Sequence, residues 1–272
     1  MAVLNTTPDS FFDGGQYLSP SAARSRVDAL VAAGADIIDV GAESTRPGAQ
    51  PVSAALQIER ALPAVEHALT QGALVSIDTG SGEVADYFLR LGVSLVNDAT
   101  GTGASELGAV VAQHQGRLIL MHSRGSMSGQ RFSEYPDDAY VDVVSDVHAE
   151  WLELRTKAEL AGLPRSDVYF DPGLGFHKNA RQSAALVRQI GEFCDLAPIM
   201  VIGASRKSFI GALDNSGPEQ RLGGSLTVAL LAASAGAHIL RVHDVQETRQ
   251  ALLAWRAFSG APAATPRGEA RA

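Results

Sequence analysis

Residues 19–48 read SPSAARSRVDALVAAGADIIDVGAESTRPG. Three signals follow one another in this stretch. Ser19 can cap a helix, Pro20 suits the first turn of that helix, and Gly34 suits its C-terminal stop. Four residues fit for a buried strand, Ile37 to Val40, come next without polar alternation. The strand then runs into a loop whose Glu43, Ser44, Thr45 and Arg46 are more than a surface turn requires. A helix leading into a non-alternating strand points to a parallel sheet covered by helices, because parallel strands must be joined by crossovers.

The same unit recurs along the chain. Short aliphatic runs begin at Ala2 (AVL), Ile37 (IIDV), Leu74 (LVSI), Ser94 (SLV), Leu118 (LILM), Val168 (VYF), Ile199 (IMVI) and Ile239 (ILRV). Helical spacing fills residues 82–91, 105–114, 136–161, 180–195, 222–235 and 245–258. Residues 53–70 also read as a helix, with Pro63 expected to kink or divide it. Eight strand-helix units predict one α/β domain, a (β/α)8 TIM barrel over residues 1–258 with its site at the C-terminal ends of the strands. An open doubly wound sheet is the alternative, but no strand is followed by GxGxxG: in GTGASELG, from Gly101, Glu106 stands where the third glycine belongs. The final segment, residues 259–272, is small, polar and proline-containing, and is expected to be a mobile tail.

Composition narrows the class of protein. With 272 residues, 46% hydrophobic and 19% charged, the chain can bury a large core. A formal net charge of −8 argues against a general affinity for nucleic acid or an anionic membrane. A single cysteine, Cys194, excludes an internal disulfide framework and any cysteine-based zinc site, and fits a cytoplasmic setting. No apolar run approaches the roughly 18 residues of a membrane span, and the opening MAVLNTTPDS carries neither a basic nor an apolar export region.

Every strand end carries polar side chains. Asn5 closes the first run, followed by Phe11 and Asp13; the second leads to Glu43, Thr45 and Arg46; the third ends in Asp78, the fourth in Asn97 and Asp98, and the fifth in Met121 and His122. The sixth opens DPGLGF with Asp171. The seventh leads to GASRKSF with Arg206, Lys207 and Ser208, and the eighth ends in Arg241, His243 and Asp244. A barrel would gather these side chains at one mouth. Asp78 and Asp171 could each accept paired N–H bonds from a donor-rich heterocycle, while Lys207, Arg241 and Arg46 could bind phosphate with His243 as a further donor. HExxH, GxSxG and a Walker A loop are all missing, so zinc hydrolysis and serine acyl transfer have no support, and transfer away from a phosphate leaving group remains.

The motifs LNTTPDSFFDGG, IIDVGAESTRPGA, SIDTG, VNDATG, LILMHSRG, DPGLGF, IGASRKSFIGAL and ILRVHDV follow one another from residue 2 to about 245. In that order and spacing the chain resembles the dihydropteroate synthase family of folate biosynthesis, a sulfonamide target. The resemblance implies a barrel that joins 6-hydroxymethyl-7,8-dihydropterin pyrophosphate to p-aminobenzoate, releasing pyrophosphate with Mg²⁺. It implies that Asp78, Asn97, Met121, Asp171, Phe176, Gly203 and Lys207 bind the pterin. Asn5, Arg241 and His243 would hold the pyrophosphate, with Asn5 also touching Mg²⁺. Phe11, Thr45, Arg46, Pro47 and Ser208 would form the p-aminobenzoate pocket, and Asp13, Arg46, Lys207, Arg241 and His243 would form the catalytic set. The two loops that carry Asp13 and Arg46 would act as lids, so p-aminobenzoate is expected to bind after pyrophosphate and Mg²⁺. A homodimer built from outer helices is implied as well. The chain departs from the family at His177, where a smaller residue is usual, and in MHSRGSMSGQRFSEYPDD. Two other readings compete: a methyltetrahydrofolate-dependent methyltransferase on a related barrel, which would leave the SRKSF, RVHDV and STRPG motifs without a purpose, and a non-catalytic pterin-binding relative.

Overall fold

The computed structural model describes residues 1–7, 19–44, 50–124 and 135–260. The expectations placed on Phe11, Asp13, Thr45, Arg46 and Pro47, and on the tail from residue 261, lie outside these residues.

Strand and helix alternate as the sequence predicts. The strands are β1 (Ala2–Asn5), β2 (Ile37–Gly41), β3 (Leu74–Asp78), β4 (Leu95–Asp98), β5 (Arg117–Met121), β6 (Val168–Asp171), β7 (Val201–Ile202) and β8 (Ile239–Leu240). The first six pair in parallel in chain order, and β7 pairs with β8 in parallel. Two single bridges join these sheets into a ring, Phe170 to Met200 and Ala2 to Val242. Three backbone bonds of 3.0 Å run across the same joints: Phe170 N to Ile199 O, Val3 N to Val242 O, and Val242 N to Met1 O. The sheet is therefore a closed eight-stranded barrel.

Each strand has two faces with different work. Ile38, Val40, Val75, Ile77, Val96, Leu118, Leu120 and Phe170 point outward into one large apolar layer beneath the helices. The alternate residues point inward. Met1, Leu95, Ile119 and Val201, with Ile37, Tyr169, Ile199 and Ile239 packed against them, form a separate apolar plug inside the barrel. Above that plug the inward positions turn polar, at Asp39, Ser76, Asp78, Asn97, Asp171 and Arg241. Burying the plug keeps water out of the lower barrel, so the charged layer has only one open side, the mouth.

The helices are α1 (Pro20–Ala32), α2 (Ala54–Thr70), α3 (Gly82–Leu91), α4 (Ala104–Gln113), α5 (Val143–Leu160), α6 (Ala180–Arg188), α7 (Ser208–Gly211), α8 (Leu222–Ser234) and α9 (Val245–Ser259). Ser19 caps α1 by accepting from Ala22 N at 3.2 Å, and Gly34 follows its last turn with φ of 85°. Of the two outcomes expected of Pro63, division does not occur: α2 runs through it as one helix. Ala61, Ala64, Val65 and Ala68, on both sides of the proline, are all buried, and that stripe holds the two halves on one surface. The single helix expected over residues 136–161 is a short 3-10 turn, Asp137–Ala139, followed by α5, because Asp142 starts a new helix by accepting from Ser145 N at 2.8 Å. Similarly, α6 stops at Arg188 and a 3-10 turn covers Ile190–Phe193. Trp151 fixes α5 to the barrel: its Nε1 donates to Leu120 O at 2.9 Å and its ring meets Phe170 edge-on at 4.8 Å. Among the described residues no helix is long and apolar enough to cross a membrane.

Candidate active site

The mouth is built from side chains that the strand alternation turns inward. Arg241, just beyond β8, spans two carboxylates. Its Nε donates to Asp39 Oδ2 at 2.7 Å and its Nη2 to Asp78 Oδ2 at 2.7 Å. Asn97 Nδ2 donates to the same Asp39 oxygen at 3.2 Å. Across the mouth, Asp171 Oδ1 accepts from Gly173 N at 2.7 Å, while its Oδ2 faces the space above Gly203. That space is defined by three groups: a Cβ added to Gly203 would lie 3.8 Å from Asp171 Oδ2, from Lys207 Nζ and from Arg241 Cβ. A second notch lies at Gly41, where a Cβ would stand 3.4 Å from Asn5 Oδ1 and 3.7 Å from Asp78 Oδ2.

Lys207 precedes α7. Its Nζ donates to Leu174 O at 2.6 Å and stands 4.4 Å from the centroid of the Phe176 ring. His243 is held by Ser205, whose Oγ lies 3.0 Å from Nδ1 and accepts from His243 N at 3.2 Å. Met121 is buried at the end of β5, where it is the register partner of Asp171. Ser208 is exposed at the first turn of α7.

Burial and charge set the protonation states here. Desolvation raises Asp171, against Lys207, which lowers it. It also raises Asp78, to about 7, with Arg241 opposing and Asp39 adding to the shift. Burial presses against the charge on Arg241, but Asp39 and Asp78 more than offset it and hold the guanidinium above its ordinary value. Lys207 is lowered to about 8 by burial, with Asp171 opposing. His243 is lowered to about 4 by burial and by Arg241, so it is a neutral imidazole near pH 7.

Not every polar strand end turns to the mouth, and this corrects the expectation of eight converging sets. Glu43 Oε1 accepts from Val52 N at 2.9 Å, and its Oε2 accepts from Gln57 Nε2 at 3.2 Å, which ties its own loop to α2. Asp98 accepts from the backbone of Thr100, Gly101 and Gly103 at 2.9, 3.1 and 2.9 Å. Asp244 pairs with Arg206, Nε to Oδ2 at 2.8 Å and Nη2 to Oδ1 at 2.6 Å. Asp98 follows inward-facing Asn97 on β4, so the pleat sends it to the other side, whereas Glu43 and Asp244 lie past the ends of β2 and β8 and take partners on α2 and at Arg206.

Two features escape a reading of the sequence. One is Asp39, fully buried in the middle of β2. The only signal was a lone carboxylate in an apolar run. The other is Lys178, 1% exposed, whose Nζ meets His122 Nδ1 at 3.0 Å and the carbonyls of Phe176, Gly173 and His122 at 3.1, 3.2 and 3.3 Å. His122 in turn donates Nε2–H to Glu150 Oε2 at 2.9 Å, and Glu150 also receives Arg124. This network holds the backbone of DPGLGF, including Asp171, against the end of β5. Gly173 requires glycine in that contact, since its φ is 66° and a Cβ would fall 2.0 Å from His122 O. His177 also has a left-handed φ, 45°, a conformation that glycine adopts more readily than any side-chain-bearing residue. Its ring turns to Ser123, with Nδ1 2.7 Å from Oγ.

The mouth thus offers two carboxylates for N–H donors, two cations and a neutral imidazole above an apolar plug. Residues 1–243 match the model of the pterin binding enzyme family, and the chain belongs to that family. Two of its relatives carry one activity in their names. It is 41% identical over 256 residues to dihydropteroate synthase of Escherichia coli K12, covering 93% of this chain and 88% of that protein. It is 41% identical over 254 residues to dihydropteroate synthase of Synechocystis, covering 92% and 86%. The structure matches that of the Yersinia pestis dihydropteroate synthase in complex with a sulfonamide drug, with a TM-score of 0.88 and 34% identity over 96% of this chain and 94% of that one. It also matches the Burkholderia cenocepacia dihydropteroate synthase complexed with 7,8-dihydropteroate, with a TM-score of 0.83 and 32% identity over 95% and 90%.

Proposed function

We infer that this chain is a dihydropteroate synthase, a transferase that condenses 6-hydroxymethyl-7,8-dihydropterin pyrophosphate with p-aminobenzoate to give 7,8-dihydropteroate and pyrophosphate. The observation that carries the reading is the space above Gly203, bounded by Asp171, Lys207 and Arg241, with Asp78 held by the same Arg241. A planar heterocycle placed there has carboxylates for its N–H groups and cations at its other edge. Asp78, Asn97 and Asp171 take the pterin, with Met121 and Phe176 near its faces and Lys207 on its ring. Arg241, His243 and Asn5 face the pyrophosphate end. Ser208 belongs with the p-aminobenzoate pocket, completed by Phe11, Thr45, Arg46 and Pro47, and Asp13 and Arg46 lie on the loops that close it.

The route we propose is SN1-like. Pyrophosphate departs from the methylene, leaving a cation delocalised into the pterin ring; the aryl amine adds to it and gives up its proton afterwards. Arg241 stabilises the departing anion, and Asp78 and Asp171 stabilise the ring cation through its N–H groups. Water must be kept away from this cation, which suits a site whose floor is an apolar plug. Mg²⁺ would supply charge neutralisation of the pyrophosphate. Its fit is that of a substrate-borne ion: Asn5 Oδ1 borders the notch at Gly41, and magnesium is commonly held by one or two protein oxygens plus phosphate. A homodimer is part of the reading, supported by the uncharged exposed stripe of α8 at Gly223, Thr227, Leu231 and Ser234. So is a cytoplasmic setting, supported by the single cysteine.

Mass spectrometry of the protein mixed with both substrates and Mg²⁺ tests the reading. Dihydropteroate is expected. Pterin binding without product would favour a non-catalytic relative, and methyl transfer from methyltetrahydrofolate would favour the other enzyme.

A further inference from the structure

Asp39 is costly where it stands. Its side chain is wholly buried, and Oδ1 has no hydrogen-bond partner. Its register partner on β3, Ser76, has a buried Oγ in the same condition. A buried carboxylate is expensive to desolvate, and an apolar residue of similar size is often better tolerated; Ile37, two positions earlier on the same face, is one. Stability alone therefore does not account for Asp39. What it touches does: Oδ2 carries both Arg241 Nε and Asn97 Nδ2.

The fork of Arg241 is shared in an ordered way. Asp39 holds the inner nitrogen, Nε, from beneath, where no ligand can reach. Asp78, nearer the mouth, holds Nη2, and neither carboxylate uses Nη1. Asp78 is also a group that a pterin would claim, and any ring N–H drawn to its Oδ2 competes with Arg241 Nη2 for that oxygen. A long side chain held only by Asp78 would be released at that moment, with the rotamer freedom of an unrestrained arginine. Held by Asp39, it stays in place with its outer edge toward the anionic end of the substrate. We propose that Asp39 is a positioning residue: it anchors Arg241 from below, so that Asp78 can exchange its arginine contact for pterin N–H groups while the guanidinium keeps facing the pyrophosphate. This rests on the reading of the site given above.

Calorimetry of inorganic pyrophosphate with Mg²⁺, on wild type, Asp39→Asn, Arg241→Ala and the double variant, each saturated with a pterin ligand so that Asp78 is engaged, tests it. Asp39→Asn keeps the side-chain shape, is expected to keep the wild-type circular dichroism spectrum, and is expected to weaken pyrophosphate about tenfold or more, the size of one charge-assisted bond. The double variant should bind no worse than Arg241→Ala alone, because Asp39 acts only through the arginine. Wild-type affinity in Asp39→Asn, or losses that simply add, overturns the proposal. So does an Asp39→Asn protein that folds only when Arg241→Ala is also present, since Asp39 would then be a structural counter-ion. If wild type itself takes up no pyrophosphate, the reading of function fails first, and thermal unfolding of the same four proteins judges the pairing. Arg241→Ala leaves Asp39 buried and unpaired, so adding Asp39→Asn should raise Tm, and a further fall refutes the anchoring.

Discussion

Replacing Gly203 by alanine separates stability from ligand binding. Its φ lies outside the left-handed region, and the added methyl would stand 3.8 Å from each of its three nearest atoms, which is ordinary contact. The empty protein can therefore accept the change. Fewer conformations in the unfolded chain favour the alanine form by about 0.4–1 kcal/mol, partly offset by drier surroundings for Asp171 and Lys207. Stability is thus expected within roughly 1 kcal/mol of wild type, a Tm change of no more than about 4 °C for a chain of this size. Binding should behave differently. The methyl occupies the space through which a ring N–H reaches Asp171 Oδ2, and losing one charge-assisted bond costs roughly 1.5–3 kcal/mol, or about 10- to 150-fold in Kd. Differential scanning calorimetry and titration with a pterin ligand measure the two effects on one preparation. Unchanged pterin affinity would remove the Gly203 space from the site, and a loss of stability beyond roughly 2 kcal/mol would make the glycine a requirement of the fold, since ordinary Gly-to-Ala gains have the opposite sign.

Asp171→Asn is expected to bind pterin at least about tenfold more weakly in a folded protein, because one oxygen already serves Gly173 N and only the other is available to a ligand. Either orientation of the amide puts a donor on one of those two duties, and an undiminished titration would exclude Asp171 from recognition. NMR titration is expected to find His122 and His243 still neutral at pH 5.5, since burial lowers both to about 4, with His122 protonated on Nε2 toward Glu150. A folded pKa below the unfolded 6.5 means that each histidine costs stability as pH falls from 6.5 toward 4, at about 1.4 kcal/mol per pH unit, with the raised Asp78 working in the other direction. Protonation of His122 near 6.5 would show that the Lys178 network is open to water.

The barrel was legible because it repeats: eight aliphatic runs with helical spacing between them leave few other topologies. The mouth was legible where an inward position is also a strand end, as at Asp78, Asp171 and Arg241. Asp39 was not, since a carboxylate inside an apolar run carries no mark of which side of the sheet it takes until its partners are known. Lys178 was missed for the opposite reason. A lysine in a loop reads as solvated, and only the folding of DPGLGF back onto β5 surrounds it with carbonyls. Asp98 was over-read because the pleat sends the neighbour of an inward residue away from the mouth, and Glu43 and Asp244 because beyond a strand end the chain can turn a side chain to a helix or to Arg206 instead. The uninterrupted α2 shows tertiary burial overriding the local cost of a proline.

The two-sided strands also bear on how such a barrel can change over time. In β2, Ile38 and Val40 meet the helices while Ile37, Asp39 and Gly41 meet the interior. Deleting or inserting one residue within that string would exchange the two sets, putting a carboxylate under the helices and taking the anchor from Arg241. Strand lengths are therefore locked by the site itself, whereas the turns at residues 33–36 and 71–73 precede β2 and β3 at the end of the barrel opposite the mouth and can vary in length. A hybrid made by joining pieces of two such proteins should be cut there, where an added or lost residue leaves every inward side chain in its place.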